Sequence, residues 1–118
     1  MIPAHLWVFR ARCARVVDGD TLDLVVDQGL HTARSERVRL LHVNCPEVKG
    51  VTRAAGDAAT AYTRTWLGVQ PLESWPLIIQ TEKDDAFGRW LALIWRLADG
   101  RCLNDDLLAA DHAVPYHR

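Results

Sequence analysis

The seven residues Thr21–Asp27 alternate, with Leu22, Leu24 and Val26 facing one way and Asp23 and Asp27 the other. A period of two commits this segment to a β-strand with one face in a core and one in water. Such a strand has to belong to a sheet, and the flanking sequence supplies the other members. Residues 6 to 17 are apolar with interspersed arginines and read as a preceding strand. Gln28-Gly29 is a turn signal, and a third strand rich in Arg, Val and Leu runs from about His31 to Val43. Pro46 and Gly50 then open a loop. Residues 54 to 67 read as a helix, with Ala55, Ala58, Ala59, Tyr62 and Trp66 at helical spacing and Gly68 as its stop.

After Pro76 comes a fourth strand, Leu77 to Glu82, then a polar turn from Lys83 to Arg89. The fifth strand, Trp90 to Leu97, ends at the Asp99-Gly100 turn signal. Asn104 is a suitable N-cap for a short second helix, with Asp105 and Asp106 in the first turn where the helix dipole favours them, and Leu107 and Leu108 beyond. The order predicts a mainly β chain with helices (α+β). Its layout is a five-stranded OB-type barrel with a helix between strands 3 and 4 and a short C-terminal helix.

A length of 118 residues fits one domain, 1–118, and 49% hydrophobic residues is a globular composition. No apolar run approaches the ~20 residues that span a bilayer, so no membrane role is expected. The N-terminus lacks the basic segment and apolar stretch of a signal peptide. A cytoplasmic protein is therefore expected, or a secreted one if the chain is a trimmed form. The three cysteines, Cys13, Cys45 and Cys102, are widely spaced with no CxxC pair, which argues against a disulfide framework or a zinc site. The net charge of −1 predicts weak general affinity for phosphate backbones. The cations are almost all arginine, whose planar fork suits a small, local phosphate site.

Three motifs follow one another in fixed order. They are Val17-Asp18-Gly19-Asp20-Thr21, Arg39-Leu40-Leu41-His42-Val43-Asn44-Cys45-Pro46-Glu47 and Asp85-Ala86-Phe87-Gly88-Arg89. Together they place acidic and amide oxygens and two arginines at the ends of predicted strands, an inventory suited to a hard cation and a phosphate. In this order, and with Gly56 to Arg64 and Leu103 to Leu108 between and after them, they resemble the staphylococcal thermonuclease family. These are calcium-dependent phosphodiesterases on an OB barrel. The resemblance covers about Arg12 to Ala110.

The resemblance implies a role for each residue. Asp20 becomes the anchoring metal ligand, although alone it would read as a turn-capping aspartate. Asn44 stands where the family carries a second metal-binding aspartate. Its oxygen can ligate calcium without a formal charge, so a weak Ca2+ site is expected, with other divalent ions as alternatives. Cys45 would contribute its backbone carbonyl, since a thiol is too soft for calcium. Glu47 matches the proposed general base, while the plain reading of the residue is a surface glutamate. Arg39 and Arg89 match the two arginines that hold the phosphate and stabilise transition-state charge.

Asp18, Thr21 and Asp85 are expected in support, shaping the turns or holding a guanidinium. Three residues are candidates for substrate contact. His42 could donate to a phosphate, Trp90 could stack on a base, and Tyr116 lies near where the family has an active-site tyrosine. Trp7, Trp66, Trp90 and Trp95 lie on predicted elements and are also expected in or beside the core. The family's third C-terminal helix has no counterpart before Arg118, which leaves open a homo-oligomer that covers the barrel.

Two functions are compatible with these residues. One is a divalent-metal-dependent nuclease that hydrolyses DNA or RNA, preferentially single-stranded, and leaves 3′-phosphate ends. The alternative is a catalytically weak or inactive OB module that binds nucleic acid or another protein. Retention of Asp20, Arg39, Glu47 and Arg89 together favours the first; Asn44 and the low net charge favour the second.

Overall fold

Alternation builds the interior. Ala11 and Cys13, then Leu22, Leu24 and Val26, then Val38 and Leu40, then Leu77 and Ile79, then Ala92 and Ile94 are all buried in one cluster. They come from every second position of five strands: β1 (Val8–Asp18), β2 (Thr21–Asp27), β3 (Ala33–Leu40), β5 (Leu77–Glu82) and β6 (Trp90–Arg96). A computed structural model of the protein describes residues 7–82 and 88–116. In it the five strands close into a barrel in the order β1-β2-β3-β6-β5. Closure removes the free edges that a five-stranded open sheet would expose. All pairs are antiparallel except β3 with β6, where Val38 lies opposite Trp90 and Arg39 opposite Leu91. The expected α+β, OB-like barrel is the observed fold.

Two register shifts in β1, between Cys13 and Arg15 and between Val16 and Asp18, bend that strand into the barrel wall. The Cys13 N–H is satisfied by Gln70 Oε1 at 3.0 Å. Helix α1 (Arg53–Leu67) follows a short 3₁₀ turn and packs on β1, ending at Gly68 with φ 62°. Its buried face is Gly56, Ala59, Thr60, Thr63, Trp66 and Leu67. Of the residues at helical spacing in the sequence, Ala59 and Trp66 lie on this face, and Thr60 and Thr63 join them. Small and hydroxylated residues face the barrel because the helix approaches backbone closely.

Several expectations need correction. The third strand stops at Leu40; His42 adopts φ 67° and turns the chain into a separate two-residue strand, β4 (Val43–Asn44). This pairs with a second short strand, β7 (Val114–Pro115), which the sequence did not announce. Helix α2 (Leu103–Ala109) is capped at Cys102, not Asn104. Asn104 turns inward instead. Its Nδ2 donates to the carbonyls of Leu41 (2.9 Å) and Ala92 (3.0 Å), and its Oδ1 accepts from the Ile94 N–H (3.1 Å). It thus bolts the β3–β4 turn to β6, and three backbone groups outcompete one cap. Trp66 is buried, but Trp7 and Trp90 are 61% and 39% exposed, too open for core residues. No helix among the described residues is long and apolar enough to cross a membrane.

Candidate functional site

The β1–β2 turn is held from behind. Gly19 lies so close to α1 and Cys45 that a Cβ there would sit 2.9 Å from Ala59 Cβ and from Cys45 Sγ. The Gly19 carbonyl accepts from the Thr63 hydroxyl at 2.8 Å. The turn therefore cannot drift, and Asp20 is buried with its carboxylate fixed on both oxygens. Oδ2 accepts from the Cys45 N–H (2.9 Å) and Oδ1 from the Thr21 hydroxyl (3.3 Å). Asp18 Oδ1 accepts from the Asp20 N–H at 3.2 Å. Burial, then the hydrogen bond and charge of the neighbouring Asp20, push the Asp18 carboxyl up to about 6. Burial, then the charges of Asp20 and Asp18, push the Cys45 thiol up to about 12, so it stays protonated.

Thr21 pairs with Arg39 across β2–β3. The Arg39 side chain, 16% exposed, reaches toward the turn. Its Nη2 donates to Asn44 Oδ1 at 2.6 Å and lies 3.7 Å from Asp20 Oδ2. Tyr116 covers it, with the guanidinium carbon 5.5 Å from the ring centroid. The Tyr116 N–H donates to the His42 carbonyl at 2.8 Å, so the β4–β7 pairing sets the ring's position. Arg39 Nε is buried and finds no acceptor among the described residues. A buried donor left unpaired costs about 1–3 kcal/mol, which an oxygen-rich ligand would relieve.

The structure thus brings together Asp18, Asp20, Thr21, Arg39, Asn44, Cys45 and Tyr116. Arg89 stands two positions before Leu91, the partner of Arg39. It lies just ahead of the first residue of β6, after Gly88, whose φ is 75°. Trp90 has the parity opposite to Leu91 and faces the barrel mouth, away from Arg39. His42 offers the cluster its backbone, while its side chain is exposed. Glu47 is exposed too, with its carboxylate 3.5 Å from Lys49 Nζ, and makes no hydrogen bond to the cluster. The backbone beside it is tightly placed, since a Cβ on Gly56 of α1 would lie 2.6 Å from the Glu47 carbonyl. Asp85 lies outside the described residues.

The resemblance had placed Tyr116 near the site; that its ring covers Arg39 follows only from the pairing of β7 with β4.

The donors fit calcium in type. The Asp18 and Asp20 carboxylates at the β1–β2 turn and the Asn44 amide on β4, joined to Asp20 through Arg39, are hard oxygens. Among the described residues no three His, Cys, Asp or Glu side chains come together as a ready-made cage. Water and substrate oxygens would have to complete the coordination. No protein-family model matches the chain, and no curated protein matches it.

Proposed function

We propose that the protein is a divalent-metal-dependent phosphodiesterase acting on single-stranded nucleic acid. The observation that supports this most is Arg39, held between Asp20 and Asn44 under Tyr116 with its Nε lacking an acceptor among the described residues. Such a guanidinium matches the oxygens of a phosphodiester, and Arg89, just ahead of β6, would supply a second one. Asp20, Asn44 and the Cys45 carbonyl, with Asp18 beside them, would hold the ion. Bound calcium would offset phosphate charge and orient the scissile group.

The chain's own residues supply the rest. Arg39 and Arg89 bind the phosphate oxygens and stabilise the charge added as water attacks phosphorus. Glu47 takes the proton from that water, after its loop moves its carboxylate off Lys49. The 5′-oxygen leaves, and the phosphate stays on the 3′ end. The experiment is incubation with denatured DNA in calcium and in chelator, followed by end analysis. Calcium-dependent fragments ending in 3′-phosphate are expected. Intact DNA across calcium, manganese and magnesium at high protein would sink the reading.

A binding module without turnover is the second reading. It draws on two observations: Arg39 already occupies the Asn44 oxygen, and Glu47 stands apart with Lys49. Retardation of the DNA without cleavage would select it.

A further inference from the structure

Among the described residues the barrel interior is open at the end formed by the start of β1 and β3 and the close of β2, away from the Asp20 turn. A cavity of about 330 Å³ opens there. Its walls continue the inward alternation of each strand beyond the packed core. Phe9 and Trp7 extend the Ala11 row of β1, Glu36 and Arg34 extend the Val38 row of β3, and Trp90 extends the Ala92 row of β6. The result is an apolar, aromatic mouth that contains an ion pair. Arg34 Nε lies 2.5 Å from Glu36 Oε1, and the acid is the deeper partner, with side-chain exposures of 63% and 24%.

This composition narrows the occupant. Barrel mouths of about 300–1,000 Å³, lined by aromatics with a few convergent polar groups, are habitual small-molecule sites. The volume here is at the low end and suits one ring system. An aliphatic ligand would leave Glu36 and Arg34 desolvated without new partners. A second copy of the chain would likewise have to bury the ion pair. A flat ring with N–H donors beside a carbonyl acceptor on its edge matches a carboxylate beside a guanidinium. Its faces match indole surfaces.

We propose that the barrel mouth binds a planar heteroaromatic ring of the guanine type, packed against Trp7 and Trp90, with Glu36 accepting from its N–H groups and Arg34 donating to its carbonyl. The site uses no residue of the Asp20–Arg39 cluster and does not depend on phosphodiester cleavage.

The test follows the indole N–H resonances of the nitrogen-15-labelled chain during titration with guanosine, inosine and adenosine. Trp7 and Trp90 should shift saturably with guanosine. Inosine, which lacks the exocyclic amine, should bind roughly ten-fold more weakly or worse, and adenosine more weakly still. Glu36→Gln keeps the shape and should weaken guanosine by roughly ten-fold or more while the amide spectrum stays that of the folded protein. The proposal is overturned by the absence of saturable shifts at millimolar guanosine. It is equally overturned if adenosine binds as well as guanosine or if a folded Glu36→Gln binds guanosine unchanged. Trp7 and Trp90 shifts that track protein concentration without nucleoside would assign the mouth to a second copy and overturn it as well.

Discussion

Arg39 presents five donors on one rigid plane, and its surroundings use only part of that capacity. Asn44 takes one at 2.6 Å, Asp20 lies 3.7 Å away, and Nε has no acceptor among the described residues. Tyr116 fixes the plane without consuming a donor. Such a guanidinium is held in place ahead of a ligand, the condition under which charge stabilisation is most effective. Asn44 is the other decisive residue, because its oxygen must serve both Arg39 and an incoming cation. Asn44→Asp adds a formal charge beside Asp18 and Asp20. It should lower the calcium concentration for half-maximal binding several-fold in a calorimetric titration. An unchanged or higher requirement would remove residue 44 from the ligand set. The convergence of Asp20, Arg39, Asn44 and Cys45 was legible from motif order, since each lies at a strand end that barrel closure brings together. Tyr116 was placed near the site by resemblance, but its cover on Arg39 was not legible, because it depends on a two-residue pairing between segments far apart in the chain. Glu47 was legible as a type, but its loop position was set by Lys49, Thr52 and the close approach of α1.

At the scale of elements, α1 acts as the backing plate of the site. Gly19 is a contact point against the Ala59 and Cys45 side chains, and Gly56 one where backbone meets backbone. Gly56→Ala would ordinarily gain helix propensity, about 1 kcal/mol. Here the new methyl meets the Glu47 carbonyl at 2.6 Å, and backbone cannot step aside as a side chain can. We expect net destabilisation, about 1–3 kcal/mol by denaturant unfolding; a stabilised variant would refute the close packing. Helix α2 is tied to α1 through Asp106, which accepts from Trp66 Nε1 (2.8 Å) and from Arg101 Nε and Nη2 (each 2.8 Å). Arg101 first, then Trp66, hold its carboxyl below the ordinary range. The folded pKa is depressed, so this stabilisation is complete above the unfolded carboxylate value. It is lost as pH falls through the lower folded one. Asp106→Ala should cost about 1–3 kcal/mol at neutral pH. The gap from wild type should close in acid, and a pH-independent gap in thermal melts would contradict the assignment. The five barrel strands were legible, β2 from its period-two alternation, whereas the short β4–β7 pair was not. The buried helix face was not legible because alanine gives little direction, and buried Thr60 and Thr63 look polar in sequence.

For the whole molecule, the barrel separates two chemistries on opposite faces of its strands. Odd positions of β3 carry Arg39 outward to the Asp20 turn, while even positions carry Val38 and Glu36 toward the lumen. Barrel closure was legible, because five strands of this size have few other ways to hide their edges; the order β1-β2-β3-β6-β5 came only with the structure. The aromatic lumen mouth did not, because inward tryptophans at strand ends look like core until exposure is known. On the proposed function, a balanced charge would make phosphate recognition local. Nucleic-acid affinity should therefore fall only gently with salt. A log–log slope of about −1 to −2 is expected, against the steep slopes of proteins that neutralise many phosphates. The central claim is that Arg39 and Arg89 form one phosphate site, and cleavage of denatured DNA in calcium tests it most directly. Wild type should cut, and Arg39→Ala and Arg89→Ala should each lose about 100- to 1,000-fold in rate while remaining folded. Folded variants that cut at the wild-type rate would contradict the account.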